Sequence, residues 1–175
     1  MTDHSHDHEP LDPYTFGAEQ TCFGCGPHNE RGLKLRFVRE GDSVVTRFTP
    51  SAGLDGPPGV LHGGLQAMVA DEVAGWALVG LLGRMGFTTS MNVRYMRPMR
   101  LDQEIEARAS IVRQAGAIVV LRVALSQGGR AGCRAQISYM LPTEAGAEKT
   151  MERPLPESWR PLFRGPIEPS DSDES

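Results

Sequence analysis

The amino-acid sequence predicts an α+β domain in which an antiparallel sheet of about six strands wraps around one long central helix. Residues 64–82 are almost entirely apolar and are bounded by Gly63-Gly64 and Gly83, which is typical of a helix buried on most sides. Two strand-like runs precede this helix and four follow it. Short glycine-containing turns separate neighbouring runs, and such turns connect antiparallel strands.

The two strands before the helix are expected to form a hairpin. Residues 33–39 alternate between apolar and polar side chains and end at the turn sequence Glu40-Gly41-Asp42, after which residues 44–48 form the second strand. Residues 50–58 are rich in Gly and Pro, which predicts a loop leading into the helix.

Four strands are predicted after the helix, at residues 88–95, 104–114, 117–126 and 130–140. The turns Ala115-Gly116 and Gln127-Gly128-Gly129 separate the last three. Two strands, one buried helix and four more strands, in this order, match the hotdog fold, with the helix enclosed by one face of the sheet.

A single domain is predicted at residues 17–143, between two polar tails. Residues 1–16 lack any Lys or Arg and predict a disordered tail. Residues 144–175 predict a largely irregular C-terminal extension, with Trp159 and Phe163 anchoring it to the domain surface.

Charge and composition narrow the possible partners. Residues 21–143 carry 14 basic and nine acidic side chains, a balance that favours a small phosphate-bearing ligand. The basic residues are dispersed, so no nucleic-acid partner is predicted. The longest uninterrupted apolar segments are too short to predict a membrane partner. A cytoplasmic location is expected, because no signal segment is visible and three cysteines are an odd number.

The candidate catalytic groups lie at the start of the predicted helix and in its first half. The backbone N–H groups of Gly63 and Gly64 can hold an oxyanion at a helix N-terminus. Asp71 lies on a helix face of small residues and among apolar neighbours, where a carboxylate indicates a function. Glu72 points about 100° away, so the two acids are not expected to serve one pocket directly. His62 is expected to order the loop or to contact the substrate carbonyl rather than to act as a base.

Three motifs resemble the PaaI-like branch of the hotdog-fold acyl-CoA thioesterases and together cover about residues 20–141. They are His62-Gly63-Gly64 with Asp71 nine residues after the histidine, residues 88–98 (TTSMNVRYMRP), and residues 22–27 (CFGCGP) followed by Asn29 and Gly32-Leu33. The resemblance implies hydrolysis of an acyl-CoA or aroyl-CoA without a cofactor. It also implies a homodimer or a dimer of dimers, with each active site formed between two subunits.

The resemblance also implies roles for individual residues. The acid at Asp71 acts as a general base on water or as a nucleophile on the thioester carbonyl, which the N–H of Gly64 or Gly63 polarises. A hydroxyl at the head of the next strand, matched by Thr88, holds the water. The predicted catalytic set is Asp71, Gly64, Gly63, His62 and Thr88. The predicted substrate-binding set is Thr89, Ser90, Asn92, Arg94, Arg97 and Glu72.

One position departs from the family pattern. Some relatives carry an Asn six residues before the histidine, where it supports catalysis, and this chain has Gly56 there. Two other functions share the fold and stay open at this point. One is a hotdog hydratase or dehydratase, and the other is an acyl-CoA-binding protein without catalysis.

The cysteine motif has part of the spacing of a zinc site. Cys22, Cys25 and His28 supply three local ligands, whereas a structural zinc site needs four. Candidates for the fourth ligand are His4, His6, His8 and Cys133. The preferred interpretation is a pair of small buried thiols in a Gly-rich turn, and no metal ligand is assigned.

Overall fold

The computed structural model describes residues 8–165 of the chain. Seven antiparallel strands form one sheet in the spatial order β1-β2-β3-β5-β6-β7-β4, and the predicted α+β hotdog architecture is confirmed. The strands are β1 His8–Pro10, β2 Val38–Glu40, β3 Ser43–Phe48, β4 Phe87–Tyr95, β5 Ile105–Ala115, β6 Ile118–Gln127 and β7 Arg130–Met140. The helices are α1 Gly63–Leu82, α2 Glu144–Met151 and a 3-10 helix at Glu157–Phe163.

Helix α1 forms the centre of the core. It packs against β3, β5, β6 and β7, and Val69, Val73 and Leu78 are completely buried. Over the described residues it is the one helix long and apolar enough to cross a bilayer, but here its apolar side chains cover the inner face of the sheet. The helix ends at Gly83, which adopts a left-handed conformation with φ +62° and donates its N–H to Leu78 and Val79.

Tight turns connect the hairpins where the sequence predicts them. Glu40 pairs with Ser43, and Ala115 pairs with Ile118, so two residues form each turn. Gln127 pairs with Arg130 across two glycines that both have positive φ. Two-residue turns with positive φ match the twist of antiparallel strands and therefore fix the register.

The first predicted strand is shorter than expected. Residues 33–39 were predicted as one strand, whereas only Val38–Glu40 joins the sheet. Lys34 has a left-handed backbone with φ +50°, which interrupts an extended chain. The N–H groups of Leu33 and Leu35 instead donate to the carbonyls of Phe23 and Gly24 at 2.9 Å, so this segment is tied to the cysteine loop.

Both tails differ from the prediction within the described residues. His8–Pro10 pairs with β2 as the outer strand of the sheet, and Phe16 packs edge-on against Trp76. In the C-terminal extension, which was predicted as largely irregular, α2 and the 3-10 helix bury Leu155, Leu162 and Phe163 in a second hydrophobic cluster. Apolar side chains in these segments cover core surface that the sheet leaves open. The predictions for residues 1–7 and 166–175 lie outside the described residues.

Candidate active site

Asp71 on α1 is held by two hydroxyl groups. Its Oδ1 accepts hydrogen bonds from Thr88 Oγ1 at 2.8 Å and from the Tyr139 hydroxyl at 2.7 Å. The same Tyr139 hydroxyl lies 2.8 Å from the backbone carbonyl of Asp71. No hydrogen bond from residues 8–165 engages Oδ2. The carboxylate is therefore fixed in orientation through one oxygen, while the other oxygen is available to accept a proton or to attack an electrophile.

Thr88 was predicted from the sequence, whereas Tyr139 was missed. Tyr139 lies on β7, where the inward-facing positions Cys133, Ala135 and Ile137 are also buried. Burial raises the pKa of the Tyr139 phenol, and the negative charge of Asp71 raises it further. The phenol is therefore a permanent hydrogen-bond donor at neutral pH. The signal in the sequence was the hydroxyl of Tyr139 on an otherwise apolar strand face, because a buried hydroxyl usually has a hydrogen-bond partner.

A cavity of about 300 Å³ opens beside Asp71. Its polar wall includes Asp71, Thr88 and Tyr139, and its apolar walls come from Phe16, Trp76, Met85 and Trp159. The indole N–H of Trp159 donates to the Phe16 carbonyl at 2.7 Å. Phe16 of the N-terminal segment and Trp159 of the 3-10 helix thus form part of the cavity wall together.

Glu72 lines the same cavity as Asp71. The expectation that the two acids would not serve one pocket is therefore wrong, because a separation of about 100° leaves them on adjacent helix faces that one cavity spans. Glu72 Oε1 accepts from Cys22 Sγ at 3.1 Å. Burial, followed by the neighbouring Cys22, raises the pKa of Glu72 from 4.5 to about 8.

The two cysteines of the CFGC loop face Glu72. The ligand atoms of Cys22, Cys25 and Glu72 all lie within 4.8 Å of one another. The Cys25 thiol, followed by the backbone N–H groups of Cys25 and Gly24, lowers the pKa of Cys22 to about 5. Its interaction with Cys22 and its burial raise the pKa of Cys25. His28 does not join this cluster: it is exposed and lies near Tyr14, with ring centroids 6.0 Å apart.

The start of α1 is capped by His62. Its Nδ1 accepts from the Gly64 N–H at 2.9 Å, so the ring orders the loop and occupies one of the two predicted oxyanion donors. The Gly63 N–H has no hydrogen-bond partner within residues 8–165, while the Gly63 carbonyl accepts from the Tyr95 hydroxyl at 2.9 Å. A Cβ at Gly56 would lie 3.2 Å from the His62 ring, so the position that departs from the family pattern directly adjoins the cap.

Helix α1 places the predicted oxyanion donor, the Gly63 N–H, far from the predicted base, Asp71. Gly63 and Asp71 are eight residues apart on α1, and a rise of 1.5 Å per residue places them about 12 Å apart along the axis. One thioester carbonyl cannot contact both groups of a single helix.

The predicted substrate-binding residues of β4 divide between several places. Thr89 donates its hydroxyl to the Ser138 carbonyl at 3.0 Å, and Ser90 is exposed on the edge strand. Asn92 and Arg94 line a depression with Arg122 and Arg134. The alternating residues Met91 and Val93 pack on the core, so Asn92 and Arg94 face away from α1 and from Asp71. Arg97 lies beside Gly63, Tyr95 and Met96 at the helix start.

Comparisons with known proteins match part of the sequence. A family model described as the thioesterase superfamily matches residues 58–133, which include His62, Gly63, Gly64 and Asp71. Mouse acyl-coenzyme A thioesterase 13 is 35% identical over 69 residues, covering 39% of this chain and 49% of that protein. The human protein of the same name is 33% identical over the same length and coverage. The chain thus spans about half the length of the curated relatives it matches.

Solved structures share the fold over a larger part of the chain. A thioesterase superfamily protein superposes with a TM-score of 0.66 and 23% identity, covering 75% of this chain and 69% of that one. AziG of S. sahachiroi superposes with a TM-score of 0.57 and 28% identity, covering 62% of this chain and 92% of that one. A hypothetical thioesterase from Streptococcus pneumoniae with coenzyme A superposes with a TM-score of 0.55 and 23% identity, covering 57% of this chain and 81% of that one. A family model of the thioesterase superfamily thus matches residues 58–133 of this chain, and the solved structures share its hotdog fold.

Proposed function

We propose that this protein hydrolyses the thioester bond of an acyl-CoA or aroyl-CoA. The observation that carries the proposal is the Asp71 carboxylate, oriented by Thr88 and Tyr139 on the wall of a largely apolar cavity. An apolar cavity accepts an acyl or aroyl group, and the carboxylate supplies the base that thioester hydrolysis requires. The names of the curated relatives and the coenzyme A in the S. pneumoniae structure support the same substrate class.

In the proposed reaction, Asp71 Oδ2 removes a proton from a water molecule. The water oxygen attacks the thioester carbonyl carbon, and the charge that develops on the carbonyl oxygen is stabilised by an N–H donor. The C–S bond then breaks, CoA leaves as a thiolate, and it takes the proton held by Asp71. Thr88 and Tyr139 keep the carboxylate aimed at the water through both proton transfers. The products are the free acid and CoA.

A second copy of the chain completes the proposed site. The Gly63 N–H is the donor that lacks a hydrogen bond in the described chain, but the Gly63 of the same helix lies too far from Asp71. β4 is the edge of the sheet at this side, and an edge strand offers unpaired backbone groups to another chain. Tyr95 and Met96 at its end are 54% and 47% exposed. Pairing of β4 between two copies would bury these side chains and bring a second helix start towards Asp71.

The cavity dimensions suggest the kind of acyl group. About 300 Å³ lies at the lower end of small-molecule pockets, which favours one aromatic ring or a short acyl chain over a long fatty chain. Arg97 lies beside Gly63 at the helix start, so it would approach the site together with the oxyanion donor. Its guanidinium is the nearest candidate for a CoA phosphate in that arrangement.

The test is an acyl-CoA and aroyl-CoA panel in which released CoA reacts with a thiol reagent. Asp71→Asn keeps the size of the side chain and removes the base, so kcat is expected to fall by roughly 10²- to 10⁴-fold. Asp102→Asn is the matched control, because Asp102 is an exposed acid and its variant should keep wild-type activity.

Three results would contradict the proposal. Tight acyl-CoA binding without CoA release by the wild type would identify a binding protein. Hydration of an enoyl-CoA without thiol release would identify a hydratase. Full activity of Asp71→Asn would remove the assigned base.

A further inference from the structure

The CFGC loop and Glu72 form a cluster that thioester hydrolysis does not use. Cys22, Cys25 and Glu72 come from two distant parts of the sequence and converge with all their ligand atoms within 4.8 Å of one another. We propose that these three residues bind a thiophilic divalent cation, with Zn²⁺ as the expected ion. The ion would fasten the N-terminal loop to α1 beside Asp71.

The charge at the cluster favours a cation. Two thiolates and a carboxylate belong to the ligand types that Zn²⁺ takes in proteins. No Lys or Arg within the described chain forms an ion pair with Glu72, whose carboxylate is partly buried and contacts the Cys22 thiol. Thiol and carboxyl groups that ionise at a buried site are normally paired with a cation or coordinate a metal. A bound ion would replace the protons that these groups must otherwise share.

The groups surrounding the sulfur atoms are hydrogen-bond donors. The backbone N–H groups of Gly24 and Cys25 point at Cys22, and Gln20 Nε2 lies 3.9 Å from Cys25 Sγ. The Trp76 indole N–H is buried, has no hydrogen-bond partner within residues 8–165, and lies beside Cys25. Donors of this kind stabilise metal-bound thiolates by hydrogen bonding to the sulfur atoms. The unpartnered indole N–H thus acquires an acceptor once Cys25 is a metal-bound thiolate.

Two glycines give the loop the shape that this site needs. A Cβ at Gly24 would lie 2.3 Å from Glu72 Cδ and Cγ, and a Cβ at Gly26 would lie 2.5 Å from the Cys22 carbonyl oxygen. A side chain at Gly26 would collide with the backbone, and one at Gly24 would displace the Glu72 carboxylate from the cluster. The Gly26 N–H donates to that Cys22 carbonyl at 3.0 Å and closes the turn. The backbone therefore approaches α1 closely enough for both sulfur atoms to face the carboxylate.

Three protein ligands leave one tetrahedral position for water or for a small ligand. All three residues line the cavity that also contains Asp71, so this position is accessible from that cavity. The proposal differs from the ligand set that the sequence spacing suggested, because Glu72 takes the place of His28. It does not depend on thioesterase activity, since its test measures bound metal.

The experiment measures metal content and cobalt absorption in untagged, reduced protein. His4, His6 and His8 are replaced by Ala in every sample, since these histidines can bind metal on their own. We expect one Zn²⁺ per chain by elemental analysis. After exchange with Co²⁺, we expect thiolate-to-cobalt charge-transfer bands together with the intense ligand-field bands of tetrahedral cobalt.

Three variants test the ligands, and two further variants are controls. Cys22→Ser and Cys25→Ser should each lose the stoichiometric ion. Glu72→Gln should weaken Co²⁺ binding by about 10-fold or more, because even substitution of a residue that only hydrogen-bonds to a metal ligand has an effect of this size. Cys133→Ser is the matched thiol control, because Cys133 is a buried cysteine on β7 outside the cluster. It should keep the ion. His28→Ala should also keep it, whereas loss in that variant would restore the sequence-based ligand set and overturn this one.

The proposal would be overturned if the reduced protein takes up no Co²⁺ or shows no thiolate-to-cobalt bands. Formation of a Cys22–Cys25 disulfide in the presence of Zn²⁺, with no Zn²⁺ bound, would also overturn it. If the serine variants do not fold, the cobalt spectrum of the parent protein decides alone. Thiolate bands at one equivalent support the site, and their absence refutes it.

Discussion

Replacement of Tyr139 by Phe tests whether the orientation of Asp71 matters for catalysis. The substitution removes the hydroxyl that donates to Asp71 Oδ1 at 2.7 Å and leaves the buried ring in place. A hydrogen bond to a charged group contributes about 1.5–3 kcal/mol, which corresponds to a fall in kcat of about 10- to 150-fold. Because the hydroxyl is already engaged with Asp71, KM should change little.

The assay is CoA release under saturating substrate, repeated in an Asp71→Asn background. If Tyr139 acts through the carboxylate, Tyr139→Phe should have almost no further effect once Asp71 is Asn, so the two substitutions are strongly non-additive. Thr88→Val supplies a parallel measurement on the second hydroxyl. Equal losses from Tyr139→Phe in both backgrounds, or a change confined to KM, would refute the positioning role.

Two further predictions concern stability. His62→Ala removes the acceptor for the Gly64 N–H and should lower the free energy of unfolding by about 0.5–2 kcal/mol in urea denaturation. His62→Asn should recover most of this loss, because Asn is also a good capping residue. Equal stability of the wild type and both variants would contradict the capping role. Hydrogen bonds from Arg47 and Arg108 lower the pKa of Glu40 from 4.5 to about 2, so its ionised form stabilises the fold above pH 4.5 and this contribution is lost as the pH falls towards 2. Glu40→Gln should therefore cost about 1 kcal/mol at pH 7 and almost nothing near pH 2, and a cost that is independent of pH would contradict the ion pairs.

The central fold was predictable because its signals are local. The apolar run bounded by glycines predicted α1 to within one residue, and the glycine turns fixed the hairpins. The short strand His8–Pro10 was not predictable, since its partner β2 lies 30 residues away and its own residues are polar. The prediction of a strand at residues 33–39 was wrong because nothing in the local pattern indicates the left-handed backbone of Lys34.

The site was predictable only in part, for the same reason. Asp71 and Thr88 follow from the motif order, and the structure brings them to 2.8 Å of each other. Tyr139 and the cysteine loop approach α1 through tertiary packing over 68 and 50 residues of sequence. Helical geometry correctly separated the directions of Asp71 and Glu72, but it carries no information on the width of the cavity between them. The cytoplasmic location stays a prediction.

The most direct test of the account is complementation between two inactive variants. Asp71→Asn removes the base. Gly63→Pro removes only the N–H donor, because Pro is tolerated at the first helical position and His62 already has the extended ψ of 134° that a residue before Pro prefers. Gly63→Ala keeps the N–H and serves as the control, since a Cβ there meets only Tyr95 at 3.5 Å.

If each site combines Asp71 of one chain with Gly63 of another, a random mixture of the two variants should recover about a quarter of wild-type activity, because half of the two-fold dimers are mixed and each has one intact site. A chain carrying both substitutions, mixed with the wild type, should form mixed dimers with no activity. The account would be contradicted if isolated Asp71→Asn/Gly63→Pro mixed dimers are inactive while the wild-type/double-variant dimers keep half of the wild-type rate.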